Sequence, residues 1–184
     1  FVALPVEKGG TVLRATTEHN TDSDTNHLAL SGAYGIDQRQ TILLGAPYRL
    51  SSGEGSKMGD ISALYRNLVV QSDTVEGTDR LGLLGGAIIP TDSDRDGALQ
   101  AGTVFTHFRG KNEIDFDVLY QYGLKDRENA ARYDLSWQHR ISPTEYPEWG
   151  LPLEWYLVTE LGGSWNARRS TIHQITLGFQ RVAK

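Results

Sequence analysis

The chain has 184 residues, no cysteine, and 18 Lys plus Arg against 23 Asp plus Glu, for a formal charge of −5. That length suits a single domain over 1–184, and the mild acidity leaves no basic face for a nucleic-acid partner. Without cysteine there is no disulfide scaffold and no Cys-based zinc site. No apolar run approaches the ~18 residues that a membrane helix needs, which excludes helical spans but not strands that alternate their faces.

Two-residue alternation runs through the sequence, and it predicts about ten strands. Thr11–His19 sets Leu13, Ala15 and Thr17 against Arg14, Thr16 and Glu18. His27–Ile36 sets Leu28, Leu30, Tyr34 and Ile36 against Ala29, Ser31 and Ala33. Gln40–Leu50 carries Ile42, Leu44, Ala46 and Tyr48 on one side, and Asp60–Val70 offers Ile61, Ala63, Tyr65 and Val69 against Asp60, Ser62 and Arg66. Arg80–Ile89 and Leu99–Phe108 follow. In Glu113–Leu124, Ile114, Phe116, Val118, Tyr120 and Tyr122 point one way while Glu113, Asp115, Asp117 and Gln121 point the other. Only a strand separates those two sets; a helix would spread carboxylates and rings around its whole circumference. Tyr133, Leu135, Trp137 and Ile141 likewise oppose Arg132, Asp134, Ser136, Gln138 and Arg140. Leu153–Ser164 and Ser170–Val182 complete the set.

The connections alternate in character. One series is polar and rich in loop formers: 19–25, 51–59, 91–97, 125–130 and 166–169. The other has short turns at 36–40 and 109–112 and two longer links at 72–79 and 142–151. Successive antiparallel strands with unlike ends describe an all-β, up-and-down barrel. Glycines inside strands, as in LGLLGGA at 81–87, suit the curvature of such a barrel.

Alternation alone does not separate a soluble barrel from a transmembrane one, since the two differ only in which face is apolar. Three features favour the membrane. Rings lie on the apolar face, with Tyr48, Tyr65, Tyr122, Tyr133, Trp155 and Phe179 expected near strand ends. The polar face carries both signs of charge, which can pair across a lumen. The strands are also longer than the five or six residues usual in soluble sheets.

Several phrases in order along nearly the whole chain carry a family resemblance: ALPVEKGGTVLRATTEHN (3–20), YGIDQRQTILLGAPYRL (34–50), GDISALYRNL (59–68), GGAIIPTD (85–92) and ELGGSW (160–165). Together they resemble the outer-membrane β-barrel family named for a MetA-pathway of phenol degradation. The resemblance implies a transporter-like outer-membrane channel, in contexts linked to aromatic compounds or metal resistance, and it brings no catalytic residue. Such barrels end on a terminal aromatic, whereas this sequence ends in QRVAK (180–184), so the ten strands are expected to belong to a twelve-strand barrel cut short.

The candidate chemistry is weighed against plainer readings. His19 and His27 flank HNTDSDTNH, where Asp22 and Asp24 offer cation ligands, but a solvated loop explains the same residues. TDSDRDG (91–97) alternates acids like a calcium loop, yet the twelfth position from Asp92 is Thr103, not a bidentate Glu. Ser136 and His139 have opposite parity on one strand, as do Ser170 and His173, so neither makes a nucleophile–base pair. No metal, cofactor or catalytic centre is expected. Glu113, Asp115 and Asp117 on one side of one strand predict that Arg132, with Arg140 or Arg66, faces them across the lumen or on the neighbouring strand.

The expected function is passive passage of small solutes across a bacterial outer membrane, with lipid around the barrel and Arg14, Glu18, Arg66, Asp115, Asp117, Arg132, Asp134 and Glu160 setting selectivity in the lumen. The alternatives are a soluble or periplasmic β-barrel binding module and, third, a lipid-modifying enzyme.

Overall fold

The computed structural model describes residues 6–20, 24–51, 57–145 and 153–182, with the side chains of Glu18 and Asn20 outside that description. It contains ten strands: β1 (Thr11–Asn20), β2 (Thr25–Gly35), β3 (Gln40–Arg49), β4 (Ile61–Thr74), β5 (Gly77–Ile89), β6 (Ala98–Arg109), β7 (Asn112–Gly123), β8 (Ala130–Ser142), β9 (Glu154–Asn166) and β10 (Arg169–Val182). Each pairs antiparallel with the next, so the spatial order β1 to β10 is the chain order. The sheet curls into a half-barrel whose two borders are β1 and β10.

The two ends of the sheet differ. At the loop end, β3–β4, β5–β6 and β7–β8 are joined by residues 50–60, 90–97 and 124–129. At the turn end, β4–β5 and β6–β7 are joined by two-residue turns, Val75–Glu76 and Gly110–Lys111. Gly110 sits at φ +59°, a left-handed conformation that a side chain would oppose. The expected long link at 72–79 is therefore a tight hairpin. Gln71, Asp73 and Thr74 are polar, but they continue the ladder opposite Arg80, Thr78 and Gly77. The long connection at the turn end is 143–153, and it includes residues outside the described set.

Alternation sorts the side chains onto two faces. On the concave face Leu64, Leu68, Leu84, Val104 and Leu119 form a buried cluster with Leu43 packed against it. Full burial of such a side chain is worth roughly 1.5–3 kcal/mol. The cluster's neighbours on the same face are polar: Thr41, Arg66, Gln100, Thr106, Asp115 and Asp117 are all buried. Two inner glycines permit the curl. A Cβ on Gly86 would lie 2.1 Å from the Ala63 carbonyl oxygen, and one on Gly102 would lie 2.2 Å from that of Val118. The convex face is apolar and open, with Leu44, Leu83, Leu99, Tyr120, Tyr122 and Trp137 all exposed.

Candidate functional site: the hollow and its arginine-lined mouth

The inward positions of β7 are Glu113, Asp115, Asp117, Leu119 and Gln121. Asp115 is 7% and Asp117 4% exposed, while Ile114 and Tyr120 on the other face are 36% and 42% exposed. The acids thus lie in the hollow and the rings outside. Asp115 Oδ1 accepts a hydrogen bond from the Thr106 hydroxyl of β6 at 2.5 Å. Arg66 is 3% exposed and donates through Nη2 to Thr41 Oγ1 at 3.1 Å. Arg14, Arg132, Asp134 and Glu160 point to the same face but remain exposed. Glu18 pairs with His27 through the backbone, and its side chain lies outside the described residues.

The expectation that Arg132, with Arg140 or Arg66, faces the acids across the lumen or from a neighbouring strand is made specific by the register, which sets Arg132 on the adjacent strand, diagonal to Asp117. Asp117 is flanked by Val104 and by another acid, Asp134, while Asp115 is flanked by Thr106 and Ser136. Arg132 stands opposite Leu119 and Ser164, and Arg66 opposite Thr41 and Leu84. Both lie two residues nearer the loop end than the Asp117–Asp134 row. Arg140, opposite Tyr156, lies towards the turn end. Glu160 pairs with Ser136 and Thr176, on the turn-end side of Asp134. Charge in the hollow is therefore banded along the strands: Arg66 and Arg132, then Asp117 and Asp134, then Asp115 and Glu160 with Arg80 in the same row, and Arg140 nearer the turn end.

At the loop end, an ion-pair network ties three connections together. Asp60, just before β4, meets Arg127 at 2.5 Å and Arg95 at 3.1 Å. Arg127 also donates to the Asp96 carbonyl at 2.8 Å, and Arg95 to the Met58 carbonyl at 3.1 Å. Burial pushes the Asp60 carboxyl up, but hydrogen bonds from Arg127, Arg95 and the Thr91 N–H outweigh it and hold it below the usual carboxylate range. In the 91–97 loop, Asp92 caps the Asp94 N–H at 3.3 Å and Asp96 accepts from the Asp126 N–H at 3.1 Å. These acids organise the loop backbone. Among the described residues no group of three or more His, Asp and Glu could hold a metal, and Asp22 lies outside them.

Beneath this network the hollow opens into a cavity of about 700 Å³ whose wall runs from β2 round to β10. Its charged lining is Arg127, Arg132 and Arg169 against Asp60, three positive and one negative, for a net of +2. Leu43, Leu64, Leu119, Ile88 and Ile172 supply apolar wall. Sequence reasoning singled out Arg132 and set Asp60 on the polar face without its partners, and it missed Arg127 and Arg169. Asp60 and Arg127 are 67 positions apart, so no local pattern links them.

The outer face has its own geometry. Trp155 and Trp165 both stand on it, ten residues apart on β9, and are 41% and 40% exposed. Tyr65, Gly85, Ala101, Tyr120, Ala131 and Trp165 share one row of the ladder, so Tyr65 sits with other rings although it lies within its strand. Towards the turn end the apolar face gives way to polar groups: His107 Nδ1 and Arg109 Nη2 each lie 2.6 Å from the Asp79 carboxylate. His139 is also outward, 2.9 Å from Asn112 Oδ1, whereas Ser136 on the same strand turns into the hollow. His173 Nδ1 lies 2.8 Å from the Tyr133 hydroxyl. Comparison with protein-family models, with curated proteins and with solved structures gave no match.

Proposed function

We propose that this chain forms wall of a β-barrel channel in a bacterial outer membrane, passing small solutes passively and carrying out no chemistry of its own. The observation that carries the reading is the height of the apolar band. Ten residues of strand between Trp155 and Trp165 span about 33 Å along the chain. At a strand tilt of ~40° that becomes about 25 Å along the membrane normal, the height of the lipid-facing band of outer-membrane barrels. Rings stand at both ends of that interval, and polar groups such as Asp79, His107 and Arg109 gather on the outer face towards the turn end, as one water interface requires. The family resemblance of the sequence points the same way.

The test is reconstitution. The protein is folded into phospholipid vesicles, checked for heat-modifiable gel mobility, and then fused to a planar bilayer. Discrete conductance steps are expected; a protein that folds and stays soluble without lipid or detergent sinks the proposal. One observation favours a different outcome within the membrane. The leucine and valine cluster on the concave face narrows the hollow at mid-height. A lipid-dependent fold without conductance would mark a sealed scaffold.

A further inference from the structure

We propose that the cavity at the loop end is a binding site for small amphipathic organic anions, a carboxylate or similar head on a short apolar body. This rests on the membrane-channel reading only for the direction from which the solute arrives. The first argument is charge. The whole chain is net −5, yet the four charged residues lining this cavity sum to +2. An acidic protein that holds a positive pocket concentrates anions there against its own overall field. Asp60 and Arg127 engage each other, and Arg132 and Arg169 account for the same +2.

The second argument is shape and polarity. Guanidinium groups of Arg132 and Arg169 rise from β8 and β10, while Leu43, Leu64 and Leu119 cover the wall and floor. A guanidinium offers a planar fork of donors suited to a carboxylate. The leucines reward an apolar body by about 25 cal/mol per Å² removed from water. The volume of about 700 Å³ lies in the range of small-molecule sites.

The third argument is what lies below. Asp117 and Asp134 face each other one row beyond Arg132, towards the turn end, with Asp115 and Glu160 next. An anion drawn to the arginines meets the Asp117–Asp134 pair first if it moves on, ahead of the row in which Arg80 stands with Asp115 and Glu160, so it dwells at the mouth. A cation of the same shape meets the opposite gradient. The site thereby selects by sign at the mouth and by hydrophobicity within the cavity.

The experiment uses 6,6,6-trifluorohexanoate as probe, with the whole chain in lipid nanodiscs and binding read by fluorine NMR. Saturable binding is expected, with hexanoate competing and hexylammonium failing to compete. The double variant Arg132→Gln/Arg169→Gln should weaken binding tenfold or more, while Lys111→Gln at the turn end leaves it unchanged. Heat-modifiable mobility of each variant shows that it is folded. Non-saturable partitioning, equal competition by hexylammonium, or unchanged binding in the folded double variant overturns the proposal. Should the double variant fail to fold, the single variant Arg169→Gln replaces it, with a threefold or greater loss expected. Conductance on the same preparation keeps the two claims apart: binding without current sinks the channel reading alone, and current without binding sinks this one alone.

Discussion

Placing arginine at successive outward positions of β7 measures the surroundings of that face directly. Ile114, Val118 and Tyr122 point outward on this strand, each four residues from the next. Four residues span about 13 Å of strand, or about 10 Å along the normal at a tilt of ~40°. Val118→Arg therefore lies close to the middle of a 25 Å band, and Ile114→Arg and Tyr122→Arg near its edges. In a bilayer the cost should be about 2–4 kcal/mol at Val118 and about 0–1 kcal/mol near either interface. On a soluble sheet the same exposed positions would change stability by about 0.5 kcal/mol or less, with no depth profile. The assay is reversible guanidinium unfolding in phospholipid vesicles, followed by tryptophan fluorescence. A flat profile across the three sites, or equal costs in the presence and absence of vesicles, would refute the inside-out polarity.

Three further perturbations probe the inner face and the loop end. Asp60→Asn removes the carboxylate that joins Arg95 and Arg127, and should cost about 2 kcal/mol, with faster proteolysis in the 50–60 and 90–97 connections as the readout. Because the folded carboxyl of Asp60 titrates below the usual range, its contribution is complete above about pH 4. It is lost as pH falls through the lowered value, so loop proteolysis by pepsin should rise only at the acid end of a pH 2–5 series and should be flat in Asp60→Asn. Gly102→Ala drives a methyl into the Val118 carbonyl and should lower folding yield sharply, whereas Gly178→Ala, with nothing within 4 Å, should be tolerated; heat-modifiable mobility distinguishes them. Thr106→Val takes the hydroxyl from Asp115 and should cost about 1–3 kcal/mol in the same unfolding assay.

The strands were legible in the sequence because a two-residue period survives translation into structure with little ambiguity. The alternation at 113–124 became Asn112–Gly123, and that at 99–108 became Ala98–Arg109. It failed where the period itself broke. A bulge between Leu68 and Val70 leaves Val69 and Val70 both exposed, which disguises the continuation of β4 to Thr74 and made a two-residue hairpin look like a long link. Facing was readable within each strand but not between strands. That Asp115 and Asp117 share a side follows from parity; that Asp117 stands opposite Asp134, with Arg132 diagonal to it, depends on register, which turns and bulges decide. The loop-end network escaped for the same reason, since Asp60, Arg95 and Arg127 come from three connections brought together only by the curl.

The half-barrel also says something about the order of assembly. Along β1 and β10 one side of each backbone has no neighbouring strand among the described residues. In water those N–H and C=O groups are hydrated at little loss, but in hydrocarbon each unsatisfied one costs several kcal/mol. If the outer-membrane proposal holds, lipid immersion and completion of both seams occur as one coupled event. A chain held before that event would present two adhesive margins, and folding yield should depend on how quickly they are sealed.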